Sequence, residues 1–312
     1  SCRILSKAAR GSTPLMTHVQ QSGANVMTIS LALHGGAGSY NGKDQTDKIA
    51  FLRETALKGQ SALLSGARAI DVVTDCVAAL EDSGHYVAGR GTGPNSLGQY
   101  ELDASIMDGA TRRAGGVCAL KGFRHPVRVA RHVLDDTPHL LLAGDGAEHF
   151  ARVKNCDPVG DPKAYYLVQG TTATPDQLDT GTVGAVALDQ SGHLAAATST
   201  GGLLGKMAGR VGDSPLIGAG CWADKRLAVS CTGQGEYFIK AAVAADISAR
   251  MRYLKEDIET AARSAIADMG TLGGYGGLIA IDATGKITTP YNSEGIRHAC
   301  VSGDGPVTAS AY

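Results

Sequence analysis

The sequence predicts an α+β protein in which helices lie in layers on antiparallel sheets. Two observations carry this. A strand, an x-G turn and a second strand occur twice, at 182–200 and at 277–290, and so short a turn joins antiparallel strands. The helical stretches fall in two batches, each following strands, where a doubly wound parallel sheet would alternate strand and helix one by one. Composition adds a third: glycine is 42 of 312 residues and aromatics only 5%. Many positions therefore exclude a side chain, as tight turns, crowded packing and backbone close to a ligand require.

The elements follow in order. Residues 29–33 alternate weakly and run into the glycine turn His34-Gly35-Gly36-Ala37-Gly38, a strand ending in a turn. Residues 47–65 carry Ile49, Leu52, Ala56 and Leu63 on one helical face. Ile70, Val73, Val77 and Leu80 repeat at helical spacing, with Asp71 in the first turn where an acid suits the helix dipole. The glycine-rich stretch 84–94 allows no regular element. Residues 102–109 read as a strand and turn, 115–120 as a strand, 126–134 as a helix opened by Pro126. Residues 140–143 read as a short buried strand before a helix at 144–153. Periodicity fades over 155–181, a length of structureless chain that in a compact domain is a linker or a functional loop. The hairpin 182–200 follows, then a strand at 227–232, helices at 237–251 and 255–269, and the second hairpin.

Lys plus Arg total 29 and Asp plus Glu 30, a net charge of −1, which leaves no electrostatic footprint for nucleic acid or an anionic membrane. No apolar run reaches the 18 or so residues that span a bilayer. The seven cysteines include no C-x-x-C pair; they read as small core residues of a reducing cytosol. Residues 1–28 have no period and no apolar signal-peptide run, and are expected to be a poorly ordered extension ahead of one domain at 29–312.

Three motifs fail. The dinucleotide-like run after Leu142 has His149 where its third glycine belongs. Gly205-Lys206 is followed by Met207, so it is no phosphate loop. His125, His132 and His139 are evenly spaced, but Pro126 and Pro138 prevent one helix from presenting all three to a metal. Tyr86, Tyr237 and Tyr253 read as packing residues.

What survives is a cluster of small hydroxyl residues and glycines around one arginine and one acid: Gly181-Thr182, Thr198-Ser199-Thr200-Gly201-Gly202, Gly209-Arg210-Val211-Gly212-Asp213-Ser214, and Ser230-Cys231-Thr232-Gly233-Gln234-Gly235-Glu236. Together with His34–Gly38, 101–109 and 181–187, this cluster resembles the plant-type asparaginases, or isoaspartyl peptidases, of the N-terminal-nucleophile hydrolases. The resemblance runs from about Leu31 to the C-terminus. It implies a four-layer αββα sandwich, cut at Gly181–Thr182 into an α subunit (1–181) and a β subunit (182–312), and an assembly of two such heterodimers.

The resemblance also implies the roles. Thr182 is the nucleophile, and the chemistry agrees: a Thr hydroxyl needs a neighbouring base, and cutting Gly181–Thr182 frees an α-amine whose ordinary pKa is about 7.7–8.0. Thr200 hydrogen-bonds to the nucleophile. Arg210 clamps the substrate α-carboxylate with its bidentate fork, and Asp213 accepts the α-ammonium. Thr232 and Gly233 form the oxyanion hole, and Gly235 lines the pocket. Leu80, Glu81, Ser83, Tyr86, Ala88 and Arg90 match the family loop that wraps a structural sodium ion with backbone carbonyls; no cofactor is expected for catalysis. Val87, where many members carry Asn, and Gln234 depart from the pattern. The expected substrates are β-aspartyl dipeptides and L-asparagine. Two other readings stay open: a glycosylasparaginase, and an uncleaved, inactive homologue that only binds.

Overall fold

A computed structural model describes residues 28–40, 42–168 and 181–312; residues 1–27, Cys2 among them, and the segment just before Gly181 lie outside them. The described residues form a mixed α/β structure with two sheets. The larger sheet has eight strands: β1 (Ser30–Gly38), β2 (Leu102–Asp108), β3 (Ala114–Leu120), β4 (Leu141–Ala143), β5 (Val183–Leu188), β6 (Leu194–Thr200), β11 (Gly295–Ser302) and β12 (Thr308–Ser310). Their order is β12-β11-β1-β5-β6-β2-β3-β4. The smaller sheet holds β7 (Cys221–Ala223), β8 (Leu227–Gly233), β9 (Gly276–Asp282) and β10 (Ile287–Thr288) in the order β10-β9-β8-β7. Every pairing between these strands is antiparallel except β3 with β4.

Strand alternation sorts the core into three. Leu31, Leu33, Val183, Ala185, Ala187, Ala195 and Ala197 face one way, onto helices α1 (Thr46–Leu64), α2 (Ala69–Ser83) and α3 (Pro126–Asp136). Their neighbours Ala32, Val186, Leu188 and Ala196 face the other way. They meet Ala228, Ile279 and Ile281 of the smaller sheet. Leu227, Val229, Cys231, Leu278 and Ala280 point out of that sheet onto α6 (Gly235–Ala241), α7 (Val243–Ala249) and α8 (Ile258–Thr271). Five of the twelve buried residues in the layer between the sheets are alanine and none is aromatic.

The helices begin and end where local chemistry says. Pro126 opens α3, where a missing N–H is harmless. Asp257 caps α8 by accepting from Glu259 N and Thr260 N, and α2 stops at Gly84 in the left-handed conformation. Between β4 and β5 lie α4 (Gly144–Val153) and the short α5 (Pro162–Tyr165).

Four expectations need correction. Residues 140–143 are not buried: β4 is a sheet edge with Leu140 46% and Leu141 38% exposed. The stretch 237–251 is not one helix, because Ala242 takes φ 48° between α6 and α7. Tyr253 is exposed rather than packed. The fourth is an omission: β7, β11 and β12 carry no clear alternation and were not expected. Among the described residues no helix is long and apolar enough to cross a membrane.

Candidate active site

The face of the larger sheet that meets the smaller one changes character row by row. Ala32, Val186 and Ala196 form an apolar row across β1, β5 and β6. The next row is His34, Gly184 and Thr198. Two residues further on come Thr182, just before β5, and Thr200 at the end of β6. Strand parity thus carries the core directly into a polar site.

Thr182 is buried, and its Oγ1 lies 3.1 Å from Thr200 Oγ1, to which it donates. Thr200 Oγ1 also accepts from Gly202 N–H and sits 3.5 Å from the Val87 carbonyl. That carbonyl accepts from Gly201 N–H as well. Val87 stands against Gly181: a Cβ on Gly181 would overlap the Val87 backbone nitrogen and approach its Cγ2 to 2.7 Å. Only glycine therefore fits immediately before Thr182. Thr232, on β8, is fully buried; its Oγ1 accepts from Ala37 N–H at 3.2 Å. A hydroxyl that accepts there keeps its own proton to donate elsewhere.

The charged end lies on the loop after Thr200. Arg210 Nε and Nη2 each donate to Glu236, at 2.9 Å to Oε1 and Oε2. This pair holds the Glu236 carboxyl below the usual carboxylate range, although its own partial burial works the other way. Arg210 Nη1 turns toward Gly212. Asp213 is 4% exposed, and its Oδ2 has no partner among the described residues. Burial pushes its pKa up to about 7, against the pull of Arg210. A buried carboxyl with an idle oxygen is the natural seat for a cation. Gly235 brings the start of α6 against it, since a Cβ there would lie 2.9 Å from Asp213 N and Oδ1. Thr182, Thr200, Arg210, Gly212, Asp213 and Gly233 line one cavity of about 10 Å³, room for about one water.

A profile of the asparaginase family matches residues 27–169 and 160–309. The chain is 42% identical over 303 residues to an isoaspartyl peptidase of Salmonella typhimurium, covering 89% of this chain and 97% of that protein. The belonging is decided by that breadth. The chain is a member of the plant-type asparaginase family. It is also 35% identical over 320 residues to a probable isoaspartyl peptidase/L-asparaginase of Arabidopsis thaliana (88% and 96% covered). To the isoaspartyl peptidase/L-asparaginase of Homo sapiens it is 38% identical over 284 residues (86% and 91% covered).

For a member of the asparaginase family, the residues singled out from sequence gather well. Thr182, Thr200, Arg210, Asp213 and Gly233 share one cavity, and Gly235 and Thr232 stand beside it. Arg210 differs from expectation in one respect. The Nε–Nη2 edge of its fork is taken by Glu236, leaving the Nη1–Nη2 edge for a ligand.

The loop singled out for sodium closes on itself at the end of α2. Gly89 takes φ 50°, and a Cβ there would lie 2.5 Å from the Glu81 carbonyl oxygen. The Leu80 carbonyl accepts from Ser83 Oγ, and the Tyr86, Ala88 and Arg90 carbonyls accept from Ala88 N, Gly91 N and Leu167 N.

The sequence places Glu236, Thr198 and Ser230 in the cluster and His34 in the glycine turn, but assigns no role to any of these four side chains. The signal was available for two of them: Thr198 shares strand parity with Thr200, and Ser230 with Thr232. Arg297, from β11, was also missed. It is 1% exposed, lies 4.2 Å over the Tyr40 ring and donates from Nη1 to the Gly35 carbonyl, bracing the glycine loop.

Proposed function

We propose that this chain cuts itself at Gly181–Thr182 and then hydrolyses the β-amide of L-aspartyl groups, in β-aspartyl dipeptides and in L-asparagine. One observation carries the reading. A buried Thr182 hydroxyl opens into the same small cavity as a guanidinium and an idle buried carboxylate oxygen, the two partners an amino-acid zwitterion needs.

In the first step Thr182 Oγ1 adds to the Gly181 carbonyl carbon. The Gly181–Thr182 C–N bond breaks, an ester forms, and the hydroxyl proton ends on the new α-amine. Water then hydrolyses the ester, leaving a Gly181 carboxylate and a free Thr182 terminus. The uncut cavity is too small for an aspartyl group, so parting of the chain must enlarge it before substrate enters.

In turnover the α-amine takes the Thr182 hydroxyl proton. Oγ1 adds to the substrate β-carbonyl carbon, and the carbonyl electron pair moves onto oxygen. That oxyanion accepts from Thr232 Oγ1–H and Gly233 N–H, groups already fixed before reaction. Collapse expels the amine or ammonia, which takes the proton back from the Thr182 ammonium. The β-aspartyl ester left on Thr182 is hydrolysed by water with the same amine as base, releasing L-aspartate. Thr200 holds the hydroxyl in line. Arg210 receives the α-carboxylate on its Nη1–Nη2 edge, and Asp213 the α-ammonium.

The helix–sheet–sheet–helix order of the three cores supports an αββα sandwich of the N-terminal-nucleophile type. The sodium ion would sit on the carbonyls of Leu80, Glu81, Ser83, Tyr86, Ala88 and Arg90. The Tyr86, Ala88 and Arg90 carbonyls suit it, because a carbonyl that accepts one hydrogen bond keeps a second lone pair. Its role would be to stiffen the loop that carries Val87, with no step passing through it. A dimer of αβ heterodimers in the cytoplasm completes the reading. Release of L-aspartate from β-Asp-Leu and from L-asparagine, assayed side by side with Thr182→Ala, tests it; turnover of neither by the processed protein leaves the binding-protein reading.

A further inference from the structure

The strand ladders stop short of the residue that matters most. β1 pairs with β5 as far as Gly184, and β5 with β6 as far as Val183. Thr182 belongs to no register pair. Before cleavage it is tethered on both sides. Afterwards it is a chain end, and chain ends fray unless tied down. Its carbonyl is tied by a side chain: His34 Nδ1 lies 3.1 Å from Thr182 O.

The partners of that imidazole set its tautomer. A carbonyl only accepts, so Nδ1 carries the proton. Nε2 must then accept, and Ser230 Oγ is 2.9 Å away to donate. Ser230 Oγ in turn lies 2.7 Å from Thr198 Oγ1, whose single proton also faces the Gly220 carbonyl at 3.0 Å. His34, Ser230 and Thr198 are all at 0% exposure. Burial also pulls the His34 pKa down to about 3, keeping the ring neutral. The order of donors next to Thr182 is therefore fixed: Ser230 to His34 to the Thr182 carbonyl.

Room for this chain is made by one glycine. Gly184 lies between His34 and Thr198 in the cross-strand row. A Cβ there would overlap both Ser230 Oγ and His34 Nε2. The missing side chain on the larger sheet is replaced by a hydroxyl reaching over from the smaller one.

We propose that His34 is a positioning residue for Thr182, and that Ser230 and the gap at Gly184 exist to hold its ring in the donating tautomer. This rests on Thr182 being the nucleophile. The relay fixes the Thr182 carbonyl and hence the Cα from which both amine and hydroxyl extend. Small displacements of a reacting group cost up to about 100-fold in rate.

The test uses full-length protein allowed to process, with rates taken per cleaved chain on β-Asp-Leu. His34→Ala is expected to lower kcat about 10- to 100-fold with KM little changed. His34→Asn, whose amide N–H falls near the Nδ1 position, should recover most of that loss. Gly184→Ala and Ser230→Ala, which leave His34 in place, should lower kcat in the same way. Nitrogen-15 NMR of histidine-labelled protein, with the His34→Asn spectrum subtracted, should show a neutral ring protonated on Nδ1. Should His34→Ala fail to fold, Gly184→Ala and the NMR decide. Unchanged kcat in Gly184→Ala and Ser230→Ala overturns the proposal, as does an Nε2–H tautomer or equal losses in His34→Ala and His34→Asn. Activity in Thr182→Ala sinks the nucleophile assignment instead. An inactive Thr182→Ala beside a fully active Gly184→Ala sinks the relay alone.

Discussion

The two ends of the cavity are built in opposite ways. At the end proposed for the nucleophile the groups are neutral and buried, on β1, β6 and β8 or, for Thr182, just before β5: Thr182, Thr200, His34, Ser230 and Thr198, each with a named hydrogen-bond partner. At the zwitterion end they are charged and carried on the loop and the start of α6. Arg210 is tied to a half-exposed Glu236, while Asp213 has an idle oxygen. The difference follows from desolvation. Neutral hydroxyls and a neutral imidazole can be buried at little cost when every donor and acceptor is matched. Charges withdrawn from water need a counter-charge, so they stay near solvent or, as proposed for Asp213, take one from the substrate.

That contrast can be broken at several places, and the largest effect is expected at the proposed nucleophile, Thr182. Thr182→Ala removes both the hydroxyl and the reason for cleavage, and should lower turnover about 10⁴-fold or more, as deletion of a covalent nucleophile does. A continuous aspartate assay on purified protein reads it. Arg210→Ala comes next. Removing one partner of a buried charged pair costs about 2–5 kcal/mol, or roughly 30- to 5,000-fold in kcat/KM. The same variant should stop distinguishing asparagine from its des-carboxy analogue; retained discrimination would take the clamp away from Arg210.

Asp213 gives the contrast a pH dependence. Its folded pKa, about 7, is raised above the ordinary carboxylate value of 3.8 by burial, with Arg210 opposing and Glu236 and Asp103 reinforcing. A raised carboxyl favours the protonated form, so its contribution to stability is full below about 4 and is lost as pH rises through about 7. Uncut Thr182→Ala protein should therefore lose melting temperature between pH 5 and pH 8, and adding Asp213→Asn should flatten that fall. An equal slope in both would remove Asp213 as its source.

Smaller effects belong to the neighbours. Glu236→Gln leaves Arg210 free to wander. The pair is half exposed, worth up to about 1 kcal/mol, so KM should rise up to about fivefold with kcat held. Val87→Asn should act least on chemistry. Val87 is 5% exposed against Gly181, so an amide there costs stability and lowers the melting temperature. A change in kcat or in cleavage rate would show that this position also supports the freed amine.

The same division decides what could be read from the sequence. The zwitterion end was legible because Arg210 and Asp213 are three residues apart in one loop, and the pair Gly181-Thr182 is contiguous. The relay was not, because His34 and Ser230 are separated by 196 residues and meet only when two sheets pack. Long apolar elements were also legible, such as α2 and β5. The helix break at Ala242 was not, because the apolar period continues through it while the backbone turns left-handed. Nor was the exposure of Leu141, since an edge strand and a buried one share the same short apolar run. Arg297 escaped notice because nothing local announces that an arginine will be buried under a glycine loop.

The central claim is that Thr182 becomes a chain end before it becomes a nucleophile. Intact-mass spectrometry of the active protein tests it most directly. In proportion to 181 and 131 of the 312 residues, cleavage at Gly181–Thr182 should give fragments of about 18.6 and about 13.4 kDa. The smaller should begin with threonine, and Thr182→Ala should remain at 32.0 kDa. Active enzyme made up only of the 32.0 kDa species would contradict the account.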